Sequence, residues 1–286
     1  MQGRVCLITG PTSGIGRATA HALAEAGAAL HLMCRDAARG EALAKELRAA
    51  GAVDARVWEA DLTRQAAIRS AAAAFLQMGG PLHVLIHNAG VVNLERRETS
   101  DGIEETLAVN HLAPFLLTEL LRPRLVESAP ARVVTVASNA HGFVRGFRAD
   151  DPEYRRGAYR ALTVYGHSKL CNILWTRSLA GQLGGTGVTA NCLHPGAVAT
   201  SLGTNNGRIG RVAMATLRPF FRSPERGART SVYLATSPEV ADTSGAYFID
   251  CRQRRPKPGA EDAVAAKALW SWSERVTGLL PNGCGA

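Results

Sequence analysis

Strand-like and helix-like stretches alternate along this chain from end to end, and that alternation limits its fold more than any other feature. Short, mostly apolar runs at 5–8, 28–34, 56–59, 82–86, 132–136, 188–193 and 246–249 read as strands. Helical patterns fill the gaps at 17–26, 37–50, 64–78, 101–121, through Tyr165 to about 183, at 224–234 and at 260–277. Mostly short connections between unlike elements predict a parallel sheet covered on both faces, wound through right-handed crossovers. The expected class is therefore α/β: one doubly wound parallel sheet in a single domain spanning 1–286. A hydrophobic content of 46% is enough for one large core, and no linker or repeat beyond the strand–helix unit divides the chain.

In such a sheet, ligands bind beyond the carboxyl ends of the strands. The unusual residues of this sequence collect at those ends. The first strand runs into Thr9-Gly10-Pro11-Thr12-Ser13-Gly14-Ile15-Gly16, whose glycines let backbone N–H groups approach a pyrophosphate at the following helix. Its spacing is not GxGxxG, and a purely structural strand-to-helix turn would look much the same. The second strand ends at Arg35-Asp36, where a cation favours a 2′-phosphate and a carboxylate favours a ribose hydroxyl. Asp36 is also well placed to cap the next helix, so Arg35 is the expected contact. Later strands end at Asp61-Leu62, at His87-Asn88-Ala89-Gly90, at Ser138 and at His194-Pro195-Gly196, with Val198 and Thr200 just beyond. Asn110 and Pro114 lie in or beside a predicted helix where propensity disfavours both, so something other than propensity holds them there.

Tyr165 and Lys169 stand at i and i+4 of a predicted helix, so both side chains leave one face. A phenol with a pKa near ~10 is a poor proton shuttle at neutral pH, and a fixed ammonium beside it is expected to favour the phenolate. Tyr-x-x-x-Lys is short, and an amphipathic helix would carry it by chance. Its weight comes from the rest of the chain.

The formal net charge is +9, but Arg and Lys are dispersed without a basic arm or interleaved aromatics, which argues against a nucleic-acid partner, and none is expected. The densest cluster, Arg252 to Lys257, reads as a solvated loop, with contact to an anionic membrane as the minor alternative. Six cysteines show no metal-ligand spacing with histidine, so no metal is expected, and most sit in apolar runs as small buried thiols. The start of the sequence has no signal-peptide layout and no run long enough to span a membrane. A cytoplasmic protein without a stable membrane anchor is the expectation.

Taken together, these residues resemble the short-chain dehydrogenase/reductase family, over nearly the whole chain. Thr9-Gly10-x-x-x-Gly14-x-Gly16 looks like its glycine motif, Asn88-Ala89-Gly90 like its central-strand motif, and Asn110, Ser138, Tyr165 and Lys169 like its catalytic four. Pro195-Gly196 with Thr200 looks like the segment that holds a nicotinamide. A narrower likeness, to the retinol dehydrogenase-like branch, rests on residues 110–118, 165–170 and 245–251, on Ala268-Leu269-Trp270-x-x-Ser273, and on the long insert between Ser138 and Tyr165. Two departures are His87, where many relatives carry Asn, and the lack of the N-terminal anchor of the vertebrate retinol enzymes.

The resemblance implies a Rossmann-type fold and hydride transfer between NADP(H), with NAD possible, and the carbonyl or alcohol of a lipophilic small molecule. Tyr165 would pass the proton, Ser138 would bind the reacting oxygen, Lys169 would hold the nicotinamide ribose and lower the Tyr165 pKa, and Asn110 would seat a water in a relay. Cofactor contacts would come from Gly10, Thr12, Ser13, Gly14, Ile15, Gly16, Arg35, Asp61, Leu62, Asn88, Ala89, Gly90, Tyr165, Lys169, Pro195, Gly196, Val198 and Thr200. The substrate end would be built by Phe143, Phe147, Tyr154 and Tyr159 of the insert and by 214–221. The family likeness also allows helices to pair two copies into a homodimer. The competing function is a non-catalytic NADP(H)-binding sensor on the same fold, which would be expected to have lost Tyr165 or Lys169.

Overall fold

A computed structural model describes residues 1–198 and 222–279. The strands are β1 (Val5–Thr9), β2 (Ala29–Cys34), β3 (Asp54–Glu59), β4 (Val84–His87), β5 (Ala131–Val136), β6 (Val188–His194), β7 (Tyr247–Ile249) and β8 (Arg252–Arg254). They form one eight-stranded sheet in the order β3-β2-β1-β4-β5-β6-β7-β8. Every pairing from β3 through β7 is parallel, and β8 returns antiparallel to β7. The helices are α1 (Gly14–Glu25), α2 (Ala37–Ala49), α3 (Gln65–Met78), α4 (Glu105–Leu107), α5 (Ala113–Glu127), α6 (Ala161–Gln182), α7 (Pro224–Thr236) and α8 (Ala263–Thr277).

Side chains on a strand alternate between faces, and here that alternation sorts two cores. Cys6, Ile8, Leu30 and Leu32 face α1, α2 and α7, while Leu7, Met33 and Leu85 face α3, α5, α6 and α8. The two layers make the sheet doubly wound, as the alternation of elements predicts. Cys6, Cys34, Cys171 and Cys192 are buried. No helix among the described residues is long and apolar enough to cross a membrane.

Three expectations need correction. The helix drawn over 101–121 does not start at Asp101. Glu104 caps α4, its carboxylate accepting from the N–H groups of Thr106 (2.9 Å) and Leu107 (2.7 Å). The chain then passes through a π-helical turn, Ala108–Leu112, before α5. One extra residue in a turn relieves the conflict that Asn110 and Pro114 signal, and such turns gather at functional sites. Second, Arg252–Arg254 is an exposed edge strand, not a loop. It follows a tight reversal at Asp250 and Cys251, both at left-handed φ of 50° and 59°. Third, the last helix begins at Ala263, capped by Asp262, rather than at 260.

Candidate active site

The turn after β1 is shaped by contacts that admit no side chain. Gly10 and Gly14 adopt φ of +64° and +52°. A methyl at Gly16 would lie 2.2 Å from the Gly10 carbonyl oxygen and 2.4 Å from Asn88 Nδ2. Asn88 lies under this turn, donating to the carbonyls of Thr9 (3.1 Å) and Gly10 (3.0 Å). Thr9 Oγ1 in turn accepts from the N–H groups of Asn88 (3.1 Å) and Ala89 (3.2 Å). Asn88 and Ala89 therefore brace the glycine turn from below. The first turn of α1 holds no acidic residue and no side-chain cap, so its N–H dipoles suit the pyrophosphate of a dinucleotide. Thr12, Ser13 and Ile15 lie on this same turn.

Arg35 is exposed immediately past β2. Asp36 accepts from Arg39 N–H at 3.0 Å and caps α2, so its carboxylate is committed to the helix. Sequence reasoning missed Arg39, whose Nη2 donates to the Thr12 carbonyl at 3.1 Å and brings a second guanidinium to the turn. Its position three residues into a helix that starts beside the ligand end was the available signal. Asp61 accepts from Thr63 N–H (3.0 Å) and Oγ1 (2.8 Å), and Leu62 packs against the core. After β6, Gly196 has φ +89°, and a Cβ there would meet Arg222 Cδ at 2.7 Å. Val198 bridges to Arg222. Thr200 and residues 214–221 lie outside the described residues.

The four expected catalytic residues come from the π-turn, the end of β5 and α6; Asn110 and Lys169 meet beside Gly90, Lys169 Nζ lies near the Tyr165 ring, and Tyr165 hydrogen-bonds Ser138. A Cβ on Gly90 would lie 3.3 Å from Asn110 Oδ1 and 3.5 Å from Lys169 Nζ. Asn110 Oδ1 accepts from Val91 N–H (2.8 Å), and its Nδ2 donates to the Val91 carbonyl and to Ser168 Oγ, both at 3.0 Å. The side chain thus fastens the π-turn to the segment after β4. Ser138 Oγ accepts from Ala140 N–H at 3.1 Å, capping the 3₁₀ turn Asn139–Phe143 and leaving its own O–H to donate. Gly166 lets that turn lie against α6, since a Cβ there would be 2.4 Å from the Ala140 carbonyl oxygen.

Burial pushes the Tyr165 phenol up to about 12, and a hydrogen bond with Ser138 acts against it. The ammonium of Lys169 lies 5.6 Å from the Tyr165 ring centroid, donates to the Val136 carbonyl at 2.8 Å, and is itself lowered to about 8 by burial. The expectation that Lys169 depresses the phenol is thus not met: desolvation dominates, and Ser138 supplies the opposing influence. His87 is buried, contacts Thr118 Oγ1 at 2.7 Å, and is driven by desolvation to about 3, so it is a neutral core residue at the end of β4.

Three of the aromatic residues assigned to the substrate end point elsewhere. Phe147 stacks on His167 at 5.5 Å, Tyr154 is buried edge-on to the same ring, and Tyr159 donates to Glu104 at 3.0 Å. Phe143 is 62% exposed and borders Gly166. Leu162, one turn before Tyr165 on α6, is 64% exposed and was not singled out from the sequence. A cavity of about 680 Å³ is a groove between α1 and α7 lined by Arg17, His21 and Tyr233, and it contains none of the four.

A profile of the short chain dehydrogenases matches residues 4–208. The chain belongs to the short-chain dehydrogenase/reductase family, whose fold binds nicotinamide dinucleotides. Within it, the chain falls in the retinol dehydrogenase-like branch. It is 41% identical to retinol dehydrogenase 12 of Mus musculus, covering 97% of this chain and 87% of that one. It is also 41% identical to human retinol dehydrogenase 13, covering 97% and 85%. Among solved structures, a protein from Mycobacterium Paratuberculosis superposes with a TM-score of 0.76 at 31% identity, covering 97% and 94%. The Pseudomonas aeruginosa RhlG/NADP active-site complex does so with a TM-score of 0.69 at 29% identity, covering 91% and 96%.

Proposed function

We propose that this chain is an NADP(H)-dependent carbonyl reductase and alcohol dehydrogenase acting on a lipophilic aldehyde, ketone or alcohol. The observation that carries this reading is the convergence of Tyr165, Ser138, Lys169 and Asn110 at the strand ends beside a braced glycine turn. The cofactor, when bound, supplies the hydride. Arg35, free of the capping task that occupies Asp36, would meet a 2′-phosphate, with Arg39 nearby. Lys169 would hold the nicotinamide ribose from its buried position.

Tyr165, protonated at neutral pH, would donate its proton to the carbonyl oxygen, while the Ser138 O–H would donate to the same oxygen and stabilise the charge growing there. A phenol that remains protonated at neutral pH suits reduction. Phe143 and Leu162 would offer apolar surface to the substrate at the mouth, and the names of the relatives add support for a lipophilic class. We extend the proposal to a cytoplasmic enzyme, which should be recovered from the soluble fraction without detergent.

The decisive assay is a panel of aldehydes, ketones and alcohols followed by NADPH absorbance, with Tyr165→Phe as the reference. That variant should bind NADPH as before and lose about 10²–10⁴-fold in turnover. Turnover near that of the wild type would refute the mechanism.

A further inference from the structure

His141 is buried, and both of its ring nitrogens are engaged. The backbone N–H of Lys257 donates to Nε2 at 3.0 Å, so that nitrogen is unprotonated. The proton therefore sits on Nδ1, which donates to the Ser138 carbonyl at 2.7 Å. The ring thus joins the backbone of Ser138 to a segment more than a hundred residues further along the chain. Neighbouring contacts strengthen the same join. The Tyr247 hydroxyl donates to Asn139 Oδ1 at 2.8 Å, and a Cβ on Gly259 would lie 2.2 Å from the Arg145 carbonyl oxygen.

A second buried histidine makes a single side-chain contact to the same part of the chain. His111 follows Asn110 in the π-turn, and its Nε2 meets Ser273 Oγ of α8 at 2.9 Å. Ser273 Oγ donates to the Leu269 carbonyl at 2.8 Å, so the contact is set by α8 itself. Nearby, the ring of Trp270 packs edge-on against Phe115 at 5.1 Å.

We propose that the segment after the sheet, from Lys257 to Ser273, positions the catalytic residues Ser138 and Asn110 through His141 and His111. This inference rests on the catalytic reading above and adds positioning residues to it. Ser138 must hold its O–H within a narrow range of the reacting oxygen, and an error near 1 Å can cost about 100-fold in rate. A backbone tether on each side of the His141 ring restricts the 3₁₀ turn that carries Ser138 without occupying its hydroxyl. His111 ties the turn that carries Asn110 to α8 through its contact with Ser273 Oγ.

Two half-replacements of the ring provide the test. In His141→Asn the amide can still donate to the Ser138 carbonyl, but it falls short of Lys257. In His141→Gln the longer amide can still accept from Lys257 N–H, but it abandons Ser138. Ser273→Ala removes the α8 partner of His111. Each variant is assayed for kcat, KM, and NADPH binding by fluorescence, with turnover normalised to the fraction of protein that binds NADPH. That normalisation removes loss due to misfolding. We expect kcat to fall about 10- to 100-fold in all three, with the NADPH dissociation constant unchanged within about twofold. Wild-type kcat in His141→Asn would mean that the ring only closes its local turn, and would overturn the inference. Equal loss of NADPH binding and kcat would do so as well, by showing a general structural role. Tyr165→Phe in the same assay separates the two levels. If it is inactive while the histidine variants are normal, only the positioning role fails; if it is fully active, the catalytic reading fails and the positioning role with it.

Discussion

Replacing Lys169 by Met should abolish turnover and yet stabilise the protein at neutral pH. Lys169 is buried, and desolvation takes its ammonium from 10.5 to about 8. At about 1.4 kcal/mol per pH unit, holding the charged form inside costs about 3 kcal/mol below pH 8. Between about 8 and 10.5 the unfolded chain keeps a proton that the folded chain has released, so wild-type stability rises with pH across that window. Met has a similar shape and carries no charge. It also loses the hydrogen bond to the Val136 carbonyl, which costs about 1–2 kcal/mol at any pH. The balance near pH 7 is a gain of about 1–2 kcal/mol, or a few degrees in Tm at ~2–4 °C per kcal/mol. Above about 10.5 the charge cost is gone and only the lost hydrogen bond remains, so the variant becomes the less stable protein. Urea unfolding of both proteins from pH 6 to 11 provides the measurement, and groups common to both cancel in the difference. A variant less stable at pH 7, or a difference that does not change with pH, would show that Lys169 is not held at a desolvation cost.

Cofactor choice offers a second test: Arg35→Ala should lose about 1.5–3 kcal/mol of charge-assisted binding, collapsing a 10- to 100-fold preference for NADPH over NADH in kcat/KM. Asp36→Ala should keep the preference and instead lose about 1 kcal/mol of stability, since Asp36 caps α2; the opposite pattern would point to NAD. Gly16→Ala puts a methyl 2.2 Å from the Gly10 carbonyl and should weaken NADPH binding, measured by titration, while costing about 1–3 kcal/mol in stability. Gly166→Ala presses on the Ala140 carbonyl from 2.4 Å, so it should lower kcat by displacing the turn after Ser138 while leaving NADPH affinity intact; unchanged kcat would show that this turn tolerates movement.

How legible each part was in the sequence follows from what carries the signal. The strands from β1 to β7 are short apolar runs punctuated by glycines and polar ends, and periodicity finds such elements. β8 has no apolar residue, because Arg252-Gln253-Arg254 pairs through its backbone alone at an exposed edge, and a pattern of side chains cannot report it. The conflict at Asn110 and Pro114 was visible, but its resolution as a π-turn was not, since that depends on where Glu104 starts the helix. The insert misled for another reason. Its aromatics are apolar enough for either a pocket or a core, and only packing assigns Phe147, Tyr154 and Tyr159 inward and Phe143 outward. The i, i+4 spacing of Tyr165 and Lys169 was correct, but spacing says nothing of burial, and burial raises the phenol's pKa and lowers the ammonium's.

The site residues are held by the backbone of other elements more than by one another. Lys169 is fixed by the Val136 carbonyl, Asn110 by both main-chain groups of Val91, Ser138 by Ala140 N–H, and Asn88 by the carbonyls of Thr9 and Gly10. Anchors of that kind do not change when a surface side chain does. A family built this way can alter exposed residues such as Phe143 and Leu162 without disturbing the anchored side chains. The cost is concentrated in the few places where local rules are broken: a buried lysine, a π-turn, and histidines kept neutral in the core. Lys169 and the π-turn lie within the catalytic constellation, and His87 and His111 adjoin Asn88 and Asn110 in the chain. That is the physical reason to expect substitutions there to trade stability against turnover.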